Sequence, residues 1–172
     1  MLNLSLSGCG FLGIYHLGVI SAFREHAPEV IQGKIAGCSA GSLVAACAAC
    51  DCCLGQMVSD VLEIALKARS RALGPLHPSF NIVEILKNGL RRILPVDAHK
   101  ICSGRVFVSL TRWRDGKNFL VSQYDTREEL IQALLCSSFV PCYSGFVPPK
   151  YKGVVSENFL YIVMIKYQLF LS

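Results

Sequence analysis

Residues 34–41 read Lys-Ile-Ala-Gly-Cys-Ser-Ala-Gly, so a short apolar run leads directly into a Gly-x-Ser-x-Gly pattern at Gly37, Ser39 and Gly41. The small, apolar residues 42–53 follow, and they predict a buried helix. Between a strand and a helix, such a turn holds the serine in a strained backbone conformation and needs small neighbours. The pattern therefore predicts that Ser39 is a nucleophile held out at the end of a strand.

A similar unit comes before it. Residues 2–7 alternate apolar and small polar side chains, which predicts a strand with one buried face. Residues 8–13 then read Gly-Cys-Gly-Phe-Leu-Gly, and apolar residues recur at helical spacing after this glycine-rich turn. Two strand-to-helix units in tandem indicate an α/β protein with a parallel sheet.

Two amphipathic helices are predicted further along, over residues 58–73 and 80–94, the first stopped by Gly74-Pro75. The apolar stripe of the second helix faces away from several basic residues. Such a helix can lie in a membrane interface, although inside a globular domain its stripe more often packs on a sheet. Both interpretations stay open at this point.

The next predicted elements are a hairpin and a capped helix. Residues 105–111 and 117–123 are strand-like runs joined across Asp115-Gly116, a strong turn signal. Thr126, with Glu129 three residues later, predicts a helix N-cap and a capping box in front of residues 130–135.

Composition bounds the function. A chain of 172 residues with 52% hydrophobic residues can form one domain with a proper core. Charged residues make up 17%, below the usual value of about a quarter, which favours burial, oligomerisation or lipid contact. The net charge is +5 without any long Lys/Arg run, so we expect no nucleic-acid partner.

The nine cysteines do not suggest a disulfide framework, because their number is odd and the N-terminus has no features of a secretory signal. We therefore expect a reducing, cytoplasmic compartment. Cys47, Cys50 and Cys53 fall three residues apart, but zinc sites usually pair two short clusters across a longer gap. We expect these residues to pack a buried helix, with no metal and no cofactor.

The chemistry of acyl transfer needs backbone N–H donors aimed at the oxyanion, each worth about 3 kcal/mol. Gly8, Cys9 and Gly10 are placed to supply them, together with the N-terminus of the helix after Ser39. The spacing of Gly8, Gly10 and Gly13 also matches a dinucleotide-binding turn. That site would need an acidic residue at the end of the next strand, where the serine turn stands instead. A Ser-His-Asp triad is a further alternative, for which His77 and His99 are the candidates.

Both glycine motifs resemble those of the patatin-like phospholipase family. Residues 8–13 look like its oxyanion loop, and residues 37–41 look like its nucleophile elbow. Residues 15–18, 24–28, 74–81 and 139–149 narrow the resemblance to the triglyceride-lipase and adiponutrin branch of the animal members. The resemblance covers residue 3 to about residue 154.

The resemblance implies a three-layer α/β/α fold with a mainly parallel central sheet, incomplete at the C-terminus of this chain. It also implies a Ser-Asp dyad in which aspartate activates Ser39 without a histidine. The remaining site residues that it implies are the oxyanion hole of Gly8, Cys9, Gly10, Gly13 and Ala40, and the elbow residues Gly37, Cys38 and Gly41.

The dyad aspartate is not found where the resemblance would place it. The family has Asp-Gly-Gly or Asp-Gly-Ala soon after the segment that matches residues 148–154, and here residues 155–159 read Val-Ser-Glu-Asn-Phe. Asp115 falls in the hairpin turn, and Glu157 lacks the glycines that should follow an acidic partner. We expect a partial domain over residues 1–154 and a divergent apolar tail over residues 155–172, too short to span a membrane.

The expected function is that of a serine acyl hydrolase of the triacylglycerol lipase and phospholipase class, with only the serine half of its dyad and thus little or no activity. The expected partners are an acylglycerol or phospholipid substrate and a lipid-droplet or membrane surface on which the protein is peripheral. A protein co-activator is a further candidate partner. The alternative is a non-catalytic module that binds a lipid surface or a partner.

Overall fold

A computed structural model describes residues 2–70, 81–112, 114–141, 143–145, 147, 149–152 and the backbone of 154–155. The strands are β1 (Leu4–Leu6), β2 (Ile35–Gly37), β3 (Val106–Thr111), β4 (Asn118–Val121), β5 (Lys150–Tyr151) and β6 (Val154–Val155). The helices are α1 (Gly13–His26), α2 (Ala40–Ala49), α3 (Leu54–Arg69), α4 (Ile82–Ile93), α5 (Ala98–Cys102) and α6 (Arg127–Ser138). Two 3-10 turns, Gly10–Leu12 and Pro28–Ile31, complete these elements.

The main sheet has the order β1-β2-β3-β4. The first three strands are parallel, with Leu6 opposite Gly37 and Gly37 opposite Val108, and β4 returns antiparallel to β3. Helix α2 packs against β1, β2 and β3, and α6 packs against β3. The predicted three-layer α/β/α class with a mainly parallel sheet is confirmed.

Helix α2 is buried along nearly its whole length because its residues are small and apolar. Its C-terminal end is held by two cationic side chains. Arg105 donates through Nη1 to the carbonyl of Ala49 (3.2 Å), and Arg24 donates through Nη1 to the carbonyl of Cys52 just beyond the helix (2.9 Å). Cations at this end also stabilise the helix dipole.

Helix α4 packs inward. Its residues Ile82 and Leu90, and Leu94 just beyond its end, are buried, whereas Arg91 and Arg92 pair with Glu128 and Asp60 on the outside. Of the two interpretations of residues 80–94, the packed helix is the one observed, and this stripe is not available to a membrane.

The hairpin and the cap follow the sequence predictions. Gly116 has φ +66° in the turn between β3 and β4. At the start of α6, Thr126 Oγ1 accepts the Glu129 N–H (3.1 Å), and the Glu129 carboxylate accepts the N–H of Asp125 (2.9 Å). Helix α3 begins four residues before the predicted start at residue 58 and ends at Arg69. Its predicted stop at Gly74-Pro75 lies outside the described residues.

Within the described part of the chain, no helix combines the length and hydropathy needed to cross a membrane.

Candidate active site

The turn between β2 and α2 is built so tightly that only glycine fits on either side of Ser39. A Cβ on Gly37 would lie 2.5 Å from the carbonyl oxygen of Gly41, and a Cβ on Gly41 would lie 2.2 Å from the carbonyl oxygen of Leu6. Ser39 itself has φ +52° and ψ −126°, a strained conformation for a residue with a side chain. This is the geometry that the Gly-x-Ser-x-Gly pattern predicts for a nucleophile elbow.

The N-terminal glycine loop lies directly beside this turn. A Cβ on Gly8 would be 3.2 Å from Ser39 Cβ, and a Cβ on Gly13 would be 3.3 Å from Ala40 Cβ. Gly10 has φ +56°, which favours glycine at this position. The first residues of α1 and α2 therefore abut at the serine.

Several backbone N–H groups around Ser39 are unpaired. Those of Gly8, Cys9, Gly10 and Ala40 donate to no acceptor among the described residues. Such donors, next to two helix N-termini, can stabilise a negative charge that develops beside the serine. Gly13 differs from the expectation for this loop, because its N–H donates to the Gly10 carbonyl. Its position instead permits the close approach to Ala40.

The backbone N–H of Ser39 donates to a hydroxyl from a residue far away in the sequence. It donates to Ser137 Oγ (2.9 Å), and this hydroxyl donates to the Ser109 carbonyl (2.8 Å). Ser137 is fully buried on α6, and Ser109 lies on β3. One side chain thus ties the elbow to two other elements. The sequence does not predict the role of Ser137, because no local pattern marks a contact between residues that are 98 positions apart.

An apolar cavity of about 170 Å³ opens beside Ser39. Its walls come from the glycine loop, from α1 to α4 and from the segment after α6. The Ser138 hydroxyl in its wall is buried without a hydrogen-bond partner among the described residues. Burial also raises the pKa of Tyr143, so its phenol stays neutral. The other residues that line the cavity are Gly10, Phe11, Gly13, Leu17, Ala40, Leu43, Val44, Met57, Val61, Ile64, Ile82, Leu86, Val140 and Ser144.

The cysteine in the glycine loop is not a competing nucleophile at neutral pH. Partial burial raises the pKa of Cys9, which keeps its thiol protonated. Cys38, in the elbow, is buried.

No acid or base completes the site within the described residues. Neither a carboxylate nor an imidazole among them forms a hydrogen bond with the Ser39 hydroxyl. The His16 ring contacts the Ser7 carbonyl, and His99 Nδ1 is buried without a described partner. The candidates His77 and Glu157 lie outside the described residues. The described residues also hold no group of three or more metal-ligating side chains arranged for an ion.

Asp115 is a turn residue, as the sequence predicts. The Arg112 guanidinium donates to both of its carboxylate oxygens (2.9 and 2.6 Å), and Lys117 donates its backbone N–H to the same group (3.2 Å). The hydrogen bonds from Arg112 lower the pKa of Asp115 to about 2.

Comparisons with known proteins show the family of this chain. The family model described as patatin-like phospholipase matches residues 4–161. Patatin-like phospholipase domain-containing protein 2 of Homo sapiens is 47% identical over 88% of this chain and 31% of its own length. The 1-acylglycerol-3-phosphate O-acyltransferase PNPLA3 of Homo sapiens is 41% identical over 93% of this chain and 35% of its own.

Among solved structures, VipD from Legionella pneumophila aligns with a TM-score of 0.46 and 14% identity, over 91% of this chain and 45% of that protein. The chain spans about a third of the length of the curated relatives that it matches.

The role of the Ser137 hydroxyl in holding Ser39 can be tested by removing this hydroxyl. We expect Ser137→Ala to lower the free energy of unfolding by about 1–3 kcal/mol, because it leaves the Ser39 N–H without an acceptor. Ser138→Ala is the matched control: its hydroxyl has no described partner, so its loss should change stability by less than about 0.5 kcal/mol. Urea denaturation of both variants decides, and equal destabilisation would contradict the assigned role.

The Asp115 turn predicts a pH dependence. The pKa of Asp115 is lower in the folded state, so its ionised form stabilises the fold above the unfolded-state pKa, and this contribution is lost as pH falls through about 2. We expect Asp115→Asn to lower the urea midpoint slightly at pH 7, and the difference from wild type to shrink progressively below about pH 5. In an Arg112→Gln background the same substitution should have little effect. A difference that is constant down to pH 2 would contradict the ion pair.

Proposed function

Because the chain belongs to the patatin-like phospholipase family, we propose that it is the nucleophile-bearing part of a serine acyl hydrolase for acylglycerol or phospholipid esters. One observation carries this proposal most strongly. Ser39 stands in a strained turn, with backbone N–H groups on both sides that have no acceptor among the described residues, and with an apolar cavity next to it. A reactive hydroxyl, an oxyanion hole and space for a hydrocarbon chain are the requirements of ester cleavage.

The proposed reaction begins when Ser39 Oγ attacks the ester carbonyl carbon. The carbonyl oxygen gains negative charge, which the N–H groups of Gly8, Cys9, Gly10 and Ala40 stabilise. The alcohol then leaves, and the acyl group stays on Ser39 until an acceptor removes it. Water as the acceptor makes the protein a hydrolase. One relative is named as an acyltransferase, so the hydroxyl group of a second lipid molecule is another acceptor to test.

The acyl chain is proposed to occupy the apolar cavity. Its walls are mostly apolar side chains of α1 to α4, together with the aromatic rings of Phe11 and Tyr143. Transfer of a hydrocarbon chain from water into such a space is favourable, at roughly 25 cal/mol per Å² of apolar surface buried. The cavity therefore favours long apolar acyl groups over short polar ones.

We also propose that the hydrolytic activity of this chain is low. The Ser39 proton needs a base, and the aspartate that the family resemblance implies is not found after residue 154 of this sequence. Loss of one member of a serine-base unit lowers the rate by roughly four to six powers of ten. We therefore expect little or no turnover by this chain.

Labelling with a long-chain alkyl fluorophosphonate tests both claims. We expect slow modification that peptide mass spectrometry maps to Ser39 and that Ser39→Ala abolishes. Ser138→Ala removes another cavity serine and should label as wild type does.

The two claims can fail separately. Modification of other serines with Ser39 untouched would reject the nucleophile. Rapid labelling of Ser39 together with steady ester hydrolysis would reject the low activity and leave the nucleophile in place.

A second proposed function is that of a peripheral lipid-surface module on a droplet or membrane in the cytoplasm. Exposed apolar side chains close in sequence to cavity-lining residues favour it: Leu12 and Tyr15 are each 74% exposed, and Leu12 lies between the cavity-lining residues Phe11 and Gly13. On α3, Leu62 and Leu66 are exposed beside the cavity-lining residues Val61 and Ile64. Apolar patches of this kind mark lipid or protein contact sites.

Flotation with phosphatidylcholine-coated triolein droplets tests this second function. We expect the double variant Leu12→Glu and Tyr15→Glu to reduce the bound fraction at least about fivefold, since each apolar side chain buried in lipid contributes roughly 1.5 kcal/mol or more. Val96→Glu is the control, because Val96 is 81% exposed but lies ten residues from Leu86, the nearest cavity-lining residue in the sequence. Absence of wild-type flotation would remove this function.

A further inference from the structure

Four cysteines meet at the C-terminal end of α2, and we call them the thiol cluster: Cys47, Cys50, Cys52 and Cys102. Cys50 Sγ lies 3.6 Å from Cys102 Sγ. The Cys52 thiol donates to the carbonyl of Ile93 (3.5 Å), and Cys47 is fully buried. The sequence spacing pointed to Cys53 as the third member, but its side chain is exposed.

Within the thiol cluster, the sulfur atoms of Cys50 and Cys102 are in contact. Within the described residues, no group of three or more Cys, His, Asp or Glu side chains is placed to hold a metal ion. The chemistry open to two thiols in contact is oxidation to a disulfide.

We propose that Cys50 and Cys102 form a disulfide when the protein meets an oxidant of the peroxide class. Cys50 is the C-cap of α2, Cys102 is the last residue of α5, and these two helices contact each other. A disulfide has an S–S distance of about 2.05 Å, so the two sulfurs must approach by about 1.5 Å. Rotation of the two cysteine side chains is the movement that the proposal requires.

The two thiols have different accessibility, which sets the order of the steps. Cys50 is partly exposed, whereas Cys102 is fully buried. The hydrogen bond with Cys50, together with burial, raises the pKa of Cys102, so this thiol stays protonated. An oxidant therefore reaches Cys50 first, and Cys102 is the resolving thiol.

The reaction balances with one hydrogen peroxide. The Cys50 thiolate attacks a peroxide oxygen and becomes a sulfenic acid, and hydroxide leaves and takes up the proton that Cys50 lost. Cys102 sulfur then attacks Cys50 sulfur, and the sulfenic hydroxyl leaves with the Cys102 proton as water. Two thiols lose two electrons in total, and one peroxide becomes two waters.

The disulfide would fix the C-terminal end of α2, the helix that begins directly after Ser39. It would link residues 52 positions apart, which restricts the unfolded chain and stabilises the fold. The inference does not depend on the proposed acyl transfer, since neither cysteine lines the cavity.

Trypsin gives a direct readout of this bond. It cleaves after Lys100 and Arg105 and releases residues 101–105, in which Cys102 is the sole cysteine, and residues 35–67, which contain Cys50. After treatment with hydrogen peroxide, alkylation of free thiols and digestion without reductant, we expect these two peptides joined and two hydrogens lighter than their sum. Oxidation should also raise the Tm, by on the order of 5 °C, reversibly with dithiothreitol.

Serine variants identify the partner within residues 35–67. We expect Cys50→Ser to lose the cross-link, and Cys53→Ser, the matched exposed neighbour, to keep it. A cross-link that persists in Cys50→Ser, or a wild-type protein whose 101–105 peptide is never cross-linked, would overturn the proposal. The wild-type result needs no variant to fold, and Ser39→Ala should give the same cross-link.

Discussion

The whole site depends on one steric constraint, the close passage of the start of α2 over the end of β1. At Gly41 the backbone comes so near to the Leu6 carbonyl that no side chain could stand between them, and the same holds for Gly37 inside the turn. This contact forces the chain to reverse within a few residues. Ser39 takes up the strain of that reversal, and its positive φ is the result. The half-buried position of Ser39 beside the cavity is therefore a consequence of backbone packing.

A strained residue persists only when its surroundings hold it in place. Here the Ser39 N–H is held by Ser137 on α6, and the Ser39 carbonyl accepts from the Ser42 hydroxyl (2.7 Å). Both of these serines are fully buried. Because the Ser39 N–H is occupied, the donors left for an oxyanion are those of the glycine loop and of Ala40, which come from two separate segments. The proposed oxyanion hole therefore requires β1 and β2 to be paired side by side.

The sequence predicted features that depend on near neighbours. The elbow, the β3–β4 hairpin and the Thr126 cap are each set by glycine conformation or by a side chain three residues away, so they can be recognised in a short window. Contacts between segments that are far apart in the sequence could not be predicted in this way. Ser137 and the cavity walls on α3 and α4 meet Ser39 only after folding, and Cys102 joins the cysteines of α2 from 52 residues away. Hydrophobic periodicity shows which face of a helix is buried, but not what lies against it.

Among the described residues that line the cavity, the partial positive charge beside Ser39 comes from the peptide N–H groups at two helix N-termini. The N-terminus of α1 meets that of α2 at Gly13 and Ala40, and no Lys, Arg or His is among the described residues that line the cavity. Peptide amides do not gain or lose protons in the physiological range, so the electrostatic pull on a forming alkoxide is the same in an acidic vesicle as in neutral cytosol. In the proposed acyl transfer, stabilisation of the oxyanion by these peptide groups is therefore expected to stay constant across the physiological pH range.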